Sequence, residues 1–300
     1  MPILAMMNLK GGVAKTTCTV ALAECLAAQG FRTLVIDADH QSMAGHLLLG
    51  ERRAAGVGAA KRTLNDLFVA MLRQDFDASL FSQFLTRDAS NISGGLENLN
   101  VLPCSERIEA ICSNVARGGH GRLTESEIRN RLRQQLPAWK RSLGQEFDFV
   151  LIDSPPGLPL QMRVLLSLAD GFVIPCIPDL LSVKGALNLL ARVKKEGFGL
   201  RSVGILWTLY REQNSIHRGI VDGFQNSRVK ELLPPPFEVV IPNATAIGQT
   251  ASPGSRYHSF RSKYTPVLAT RFESVCDELV MRSRNMFNSR FPTDHSRTIR

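Results

Sequence analysis

The sequence lacks every spacing by which side chains alone hold a transition metal. Its six cysteines (Cys18, Cys25, Cys104, Cys112, Cys176 and Cys276) include no C-x-x-C pair. Most lie in apolar runs, where a thiol acts as a small buried hydrophobe in a reducing compartment. The six histidines show no H-E-x-x-H pattern, and His40 and His46, six apart, do not share a helical face. Long apolar runs are missing too. The most apolar region, 158–181, is broken by Arg163, Asp170, Pro175, Pro178 and Asp179 and does not read as a membrane span. The apolar start, Met1 to Met7, is too short for a secretion signal. No repeat and no low-complexity tract is found. A thiol or zinc enzyme, a transmembrane protein and a repeat scaffold are excluded, and a soluble cytoplasmic protein is expected.

What is present begins with ordinary globular bulk. Three hundred residues, 44% hydrophobic and 21% charged, can bury an ample core. The formal charge of +9 and a pI near 9.6 are less ordinary and favour a polyanionic partner, either nucleic acid or an acidic membrane surface.

The most informative stretch is Met7 to Thr17, M-N-L-K-G-G-V-A-K-T-T. A short apolar strand, Ile3 to Met7, precedes it, and a helix with Val20, Leu22, Ala23, Leu26 and Ala27 at helical spacing follows, ending before Gly30. Strand, glycine-rich turn and helix aim several backbone N–H groups and a helix N-terminus at an anion. Gly11 and Gly12 let the main chain approach phosphate oxygens. Lys15 supplies a point charge for the terminal phosphates, and the Thr16 hydroxyl suits Mg²⁺. The stretch reads as a nucleotide phosphate cradle, with Gly11, Gly12, Val13, Ala14, Lys15, Thr16 and Thr17 around the nucleotide.

The usual G-x-x-x-x-G-K-[ST] pattern is not met, because its glycine slots fall on Leu9 and Ala14. The form present, K-G-G-x-x-K-T with the extra Lys10, resembles the deviant Walker A motif of the ParA/MinD family of ATPases. That resemblance implies that Lys10 reaches a partner's phosphates across an ATP-sandwich homodimer, as an arginine finger would. The alternative for Lys10 is a solvated loop lysine.

Two carboxylate-ended strands follow. Thr33 to Ile36 leads into Asp37-Ala38-Asp39-His40-Gln41, and Phe147 to Ile152 leads into Asp153-Ser154-Pro155. Carboxylates at the ends of parallel strands sit where open α/β sheets bind ligands. The first resembles the family's switch I, which implies that Asp39 lies near Mg²⁺ and the attacking water. The family commonly has proline where His40 stands. The alternative is a pair of strand-end aspartates capping the next helix. The second resembles the family's Walker B strand, which implies that Asp153 holds Mg²⁺ through water. The expected metal residues are therefore Thr16, Asp39 and Asp153, the expected catalytic ones Lys10, Lys15 and Asp39, and the cofactors ATP and Mg²⁺.

The remainder keeps strand–helix alternation, predicting an α/β, P-loop NTPase-like fold with a mostly parallel sheet and helices on both faces. Residues 50–60 read as a mobile loop. Thr63-x-x-Asp66 and Thr124-x-x-Glu127 read as capping boxes. Short helices are expected near 78–85 and 106–115, and strands near 99–103, 171–176 and 203–209. Ser182 is expected to cap a helix ending at Gly197. Arg129, Arg131, Arg133, Lys140 and Arg141 form a solvated face or, alternatively, a nucleic-acid contact. Val239 to Asn243 resembles the family's last strand, with Pro242 packing on adenine. One domain is expected over 1–285, with a basic tail over 286–300.

Thr265-Pro266 opens a helix whose Val267, Leu268, Phe272, Val275 and Leu279 form an apolar stripe. Nine basic residues from Arg256 onward (Arg256, Arg261, Lys263, Arg271, Arg282, Arg284, Arg290, Arg297, Arg300) oppose four acids and are expected to face outward. Resemblance to the ParA branch implies nonspecific double-stranded DNA binding there, ATPase stimulation by a ParB-like or cargo adaptor partner, and nucleoid association in partitioning a plasmid or chromosome or positioning other cargo. No helix-turn-helix precedes the phosphate loop, so operator binding is not expected. The alternative is a MinD-like membrane-associated or regulatory scaffold. A membrane helix is disfavoured because Pro292 and Asp294 interrupt the tail around Met286, Phe287 and Phe291.

Overall fold

The computed structural model describes residues 1–73, 76–111, 123–224, 228–243 and 255–287. Six strands, β1 (Ile3–Met6), β2 (Thr33–Asp37), β3 (Leu99–Leu102), β4 (Phe149–Asp153), β5 (Gly171–Cys176) and β6 (Arg201–Trp207), form one sheet in the order β3-β2-β4-β1-β5-β6. Every named pair is parallel. Strands buried on both faces read as unbroken apolar runs, and β1, β2, β4 and β5 do.

Helices cover both faces. On one face α1 (Lys15–Ala28) packs with the long C-terminal helix, through Leu22, Leu26, Phe272 and Val275. On the other, Leu64, Phe68, Trp139, Leu165 and Leu189 cover the alternate strand residues Ile3 and Ala5. The helices between are α2 (Met43–Leu49), α3 (Glu51–Ala59), α4 (Leu64–Met71), α5 (Glu125–Glu146), α6 (Leu160–Leu168), α7 (Leu180–Glu196), α8 (Ser215–Gly223), α9 (Phe260–Tyr264) and α10 (Pro266–Phe287). Both capping boxes form, Thr63–Asp66 on α4 and Thr124–Glu127 on α5.

Several expectations need correction. Within residues 50–60, Glu51–Ala59 form helix α3 rather than a loop, although Val57 is its one buried side chain. The cap of α7 is Asp179, which accepts the Ser182 N–H at 2.7 Å, so Ser182 lies inside the helix. Val239 to Asn243 forms no strand; Pro242 makes only an isolated bridge to Tyr210. Over 106–115 only a 3₁₀ turn, Glu106–Ile108, is seen, and 112–115, with Cys112, lies outside the described residues. Val267 is 70% exposed and does not belong to the apolar stripe of α10. That helix runs to Phe287, past the expected boundary at 285, and 288–300 lies outside the described residues. Of the α5 cations, Arg131 and Arg141 are exposed, while Lys140 pairs with Asp170 at 2.6 Å.

Candidate functional site at the carboxyl edge of the sheet

The chain runs outward from β1 to β2 and β3, returns to place β4 between β2 and β1, then adds β5 and β6 on the other side. That reversal opens a crevice at the carboxyl ends of the central strands. The register levels those ends: Asp153 lies beside both Met6 and Asp37. Three chemically distinct segments therefore meet at one edge.

Between β1 and α1 the loop bends through left-handed Gly12 (φ +70°) and Ala14 (φ +60°). A Cβ on Gly11 or Gly12 would meet nothing within 4 Å, because both face an open cavity of about 430 Å³. A non-glycine residue held at positive φ stores strain typical of ligand sites. Ala14, Lys15, Thr16, Thr17 and Asp39 line the same cavity. Val13 does not: it is fully buried, and its carbonyl accepts the Thr208 hydroxyl at 3.0 Å.

Lys15 is 7% exposed, and its Nζ donates to the Lys10 carbonyl at 3.1 Å. Burial lowers its pKa, with Asp153 and Asp39 acting in opposition. Asp153 is fully buried and accepts the hydroxyls of Thr16 at 2.8 Å and Thr19 at 3.0 Å. Burial pushes its carboxyl up to about 6 against those two hydrogen bonds and Lys15. Asp37 is also fully buried and is raised well above the carboxylate range by burial and by Asp153. It accepts the N–H groups of Asp39 at 3.1 Å and Gly45 at 2.9 Å, so it braces the turn that presents Asp39. Gly45 is required there: a Cβ would come within 2.8 Å of Ser42 Oγ and 2.9 Å of Pro103 Cβ. Hydroxyl and carboxylate oxygens are the donor set that suits Mg²⁺, and Thr16, Asp153 and Asp39 supply it where a phosphate chain on the loop would end.

Lys10 behaves differently from Lys15. It does not line the cavity. Its Nζ is held by Asp179 at 3.2 Å and by the Ser182 hydroxyl at 2.9 Å, and its side chain is 32% exposed. Asn8 orients this turn, accepting the Lys10 N–H at 3.0 Å and donating to the Pro175 carbonyl at 2.8 Å.

A family model described as an AAA domain matches residues 1–197. The chain is 28% identical over 257 residues to the chromosome partitioning protein ParA of Myxococcus xanthus, covering 84% of this chain and 79% of that one. It is 27% identical over 257 residues to the sporulation initiation inhibitor Soj of Bacillus subtilis, covering 84% and 88%. In fold it resembles the septum site-determining protein MinD of Pyrococcus horikoshii, solved with Mg-ADP, with a TM-score of 0.63, 20% identity and coverage of 93% and 95%. The chain belongs to the ParA/MinD family of ATPases.

Within this ParA/MinD ATPase the expected site residues divide plainly. Gly11, Gly12, Ala14, Lys15, Thr16, Thr17 and Asp39 gather around one cavity, with Asp153 bonded beneath Thr16. Lys10 turns away on the same edge, and Pro242 does not line the cavity. His40 lies 3.3 Å from Asp39 and 3.4 Å from Glu109, tying the turn after β2 to a distant segment. The sequence carries no sign of the roles of Asn8 and the Asp179–Ser182 holder, whereas Asp37 takes the helix-capping alternative, accepting the Gly45 N–H in the first turn of α2. Asp179, at a helix start, is readable only as an N-cap. The far wall includes Tyr264, whose hydroxyl donates to fully buried Glu24 at 2.7 Å.

Proposed function

We propose that this protein is a ParA-like ATPase: ATP and Mg²⁺ join two copies face to face, the dimer binds DNA without sequence preference, and hydrolysis releases it, so that a plasmid, chromosome or other cargo is partitioned or positioned. The observation that carries this reading is the division of labour between the two lysines. Lys15 lies in its own cavity, whereas Lys10 is on the same edge, outside that cavity and partly exposed. Beside its holder Asp179, Leu180 and Leu181 are 75% and 72% exposed, an apolar pair that favours a protein seam at this edge.

In the proposed mechanism the loop amides from Gly11 to Thr17 bind the phosphate chain, and Lys15 neutralises charge at its end. Mg²⁺, held by Thr16 and through water by Asp153, would offset charge on the phosphate oxygens. Asp39, at the cavity with its carboxylate braced by the Gln41 N–H at 3.0 Å, orients the attacking water. The partner's Lys10 contributes a second cation once released from Asp179. A ParB-like or cargo adaptor protein stimulates turnover, and the working location is the nucleoid. Nucleotide binding and DNA retention with ATP, ADP or neither test the scheme. Lys15→Gln is expected to abolish nucleotide binding, and wild type is expected to bind nonspecific duplex only with ATP. DNA binding indifferent to nucleotide would contradict it.

A further inference from the structure

Of the basic residues expected to face outward at the C-terminus, Arg256 and Arg261 are exposed, but four of the described ones are engaged by partners within the fold. Arg261 pairs with Glu273 at 2.7 Å, and Lys263, 4% exposed, pairs with Glu24 at 2.6 Å. Arg282 pairs with Glu278 and donates to the carbonyls of Val203 and Pro236. Arg271 donates to the Val240 carbonyl. These cations brace the packing of α9 and α10, and Arg290, Arg297 and Arg300 lie outside the described residues.

A different cationic surface is built at the β3 edge. Arg53 on α3 donates to the carbonyls of Arg87 and Asp88, and Arg62 donates to those of Gln83 and Leu85. Each guanidinium is thus fixed in place yet keeps further N–H donors, since it carries five. Arg53, Arg62 and Arg87 surround a groove of about 500 Å³ whose lining includes Gly56 and Thr86. No carboxylate among the described residues pairs with any of the three. Thr86 is 6% exposed, its backbone is pinned to Val101 of β3, and its hydroxyl has no partner among the described residues. Exposed Arg52 on α3 and Lys61 just beyond its end add to the charge, with Glu51 and Asp88 as exposed acids on the same segments. The nine-residue helix is about 13 Å long, enough to run beside several phosphates of one strand.

We infer that the groove between α3 and the segment ending at Arg87 is a phosphate-binding surface that takes the backbone of duplex DNA. The inference rests on the proposed DNA-binding function and locates its contact away from the C-terminal helix. Extended charge around one open groove matches a polyanion. Fixed arginines supply donors to phosphate oxygens without reading bases.

Fluorescence anisotropy with a nonspecific duplex, non-hydrolysable ATP and Mg²⁺, over a salt series, tests it. Wild type is expected to bind with a steep salt slope. Arg87→Glu is expected to weaken binding about tenfold or more at 0.1 M salt and to flatten the slope by about one contact, while Arg87→Lys retains the wild-type slope. Thermal melting monitors folding of each variant. If wild type fails to bind DNA, the functional reading itself fails. If wild type binds and Arg87→Glu binds equally well with the same slope, this surface is overturned alone. Equal loss by Arg87→Glu on vesicles of anionic phospholipid would overturn the assignment to DNA in favour of a membrane.

Discussion

The two strongly perturbed carboxyls, Asp37 and Asp153, lie on neighbouring strand ends, and beyond burial the Asp153 charge makes ionisation of Asp37 harder. For Asp153 the folded state holds its proton more tightly than the unfolded chain, with a folded value of about 6 against an ordinary 3.8. This group therefore opposes folding above pH 6, and its penalty fades as pH falls from 6 towards 4. Asp153→Asn removes the buried charge, keeps one acceptor oxygen for the Thr16 hydroxyl and places an N–H donor against the Thr19 hydroxyl, which still donates to the Lys15 carbonyl. It is expected to raise the Tm of the metal-free protein at pH 7.5 by about 2–5 °C and to abolish the further rise that Mg²⁺ with nucleotide gives wild type, both read by calorimetry. For the same reason, Mg²⁺ affinity in wild type should fall as pH drops below about 6, because the metal needs the carboxylate, and a titration series from pH 5 to 8 checks it. The pairing of His40 with Glu109 joins positions 69 apart, so nothing local in the sequence announced it.

At the scale of elements, α1 couples the phosphate loop to the C-terminal helices through one buried knot. Glu24 accepts from Lys263, the Tyr264 hydroxyl and the Ser90 hydroxyl, all within 2.6–2.7 Å. Removing one partner of a buried ion pair leaves a charge uncompensated, which typically costs about 3–5 kcal/mol. Lys263→Met alone should lose about that much in urea unfolding, and adding Glu24→Leu should recover most of it. An additive double variant would mean that the pair does not interact. Helix α3 shows why some elements hide. With Gly56 and Gly58 among alanines its intrinsic propensity is low, so it reads as a loop. Its helix depends on Val57 underneath and on Arg53 reaching residues more than thirty positions away. The phosphate loop, both capping boxes and the C-terminal helix were legible because their signals lie within a few neighbouring residues.

For the whole molecule, strand–helix alternation was enough to indicate a parallel sheet, and the strand-end aspartates marked its binding edge. The strand order, and hence which ends meet, depends on contacts far apart in sequence. So does part of the fate of the basic C-terminal residues: Lys263 pairs with the distant Glu24, and Arg271 and Arg282 reach carbonyls of Val240, Val203 and Pro236. The central claim is that nucleotide joins two copies through Lys10. Sedimentation velocity with non-hydrolysable ATP and Mg²⁺ measures it most directly. Wild type should sediment as a dimer, and Lys10→Ala, with nucleotide still bound, as a monomer. A wild type that stays monomeric at saturating nucleotide, or a Lys10→Ala variant that dimerises as well as wild type, would contradict the account.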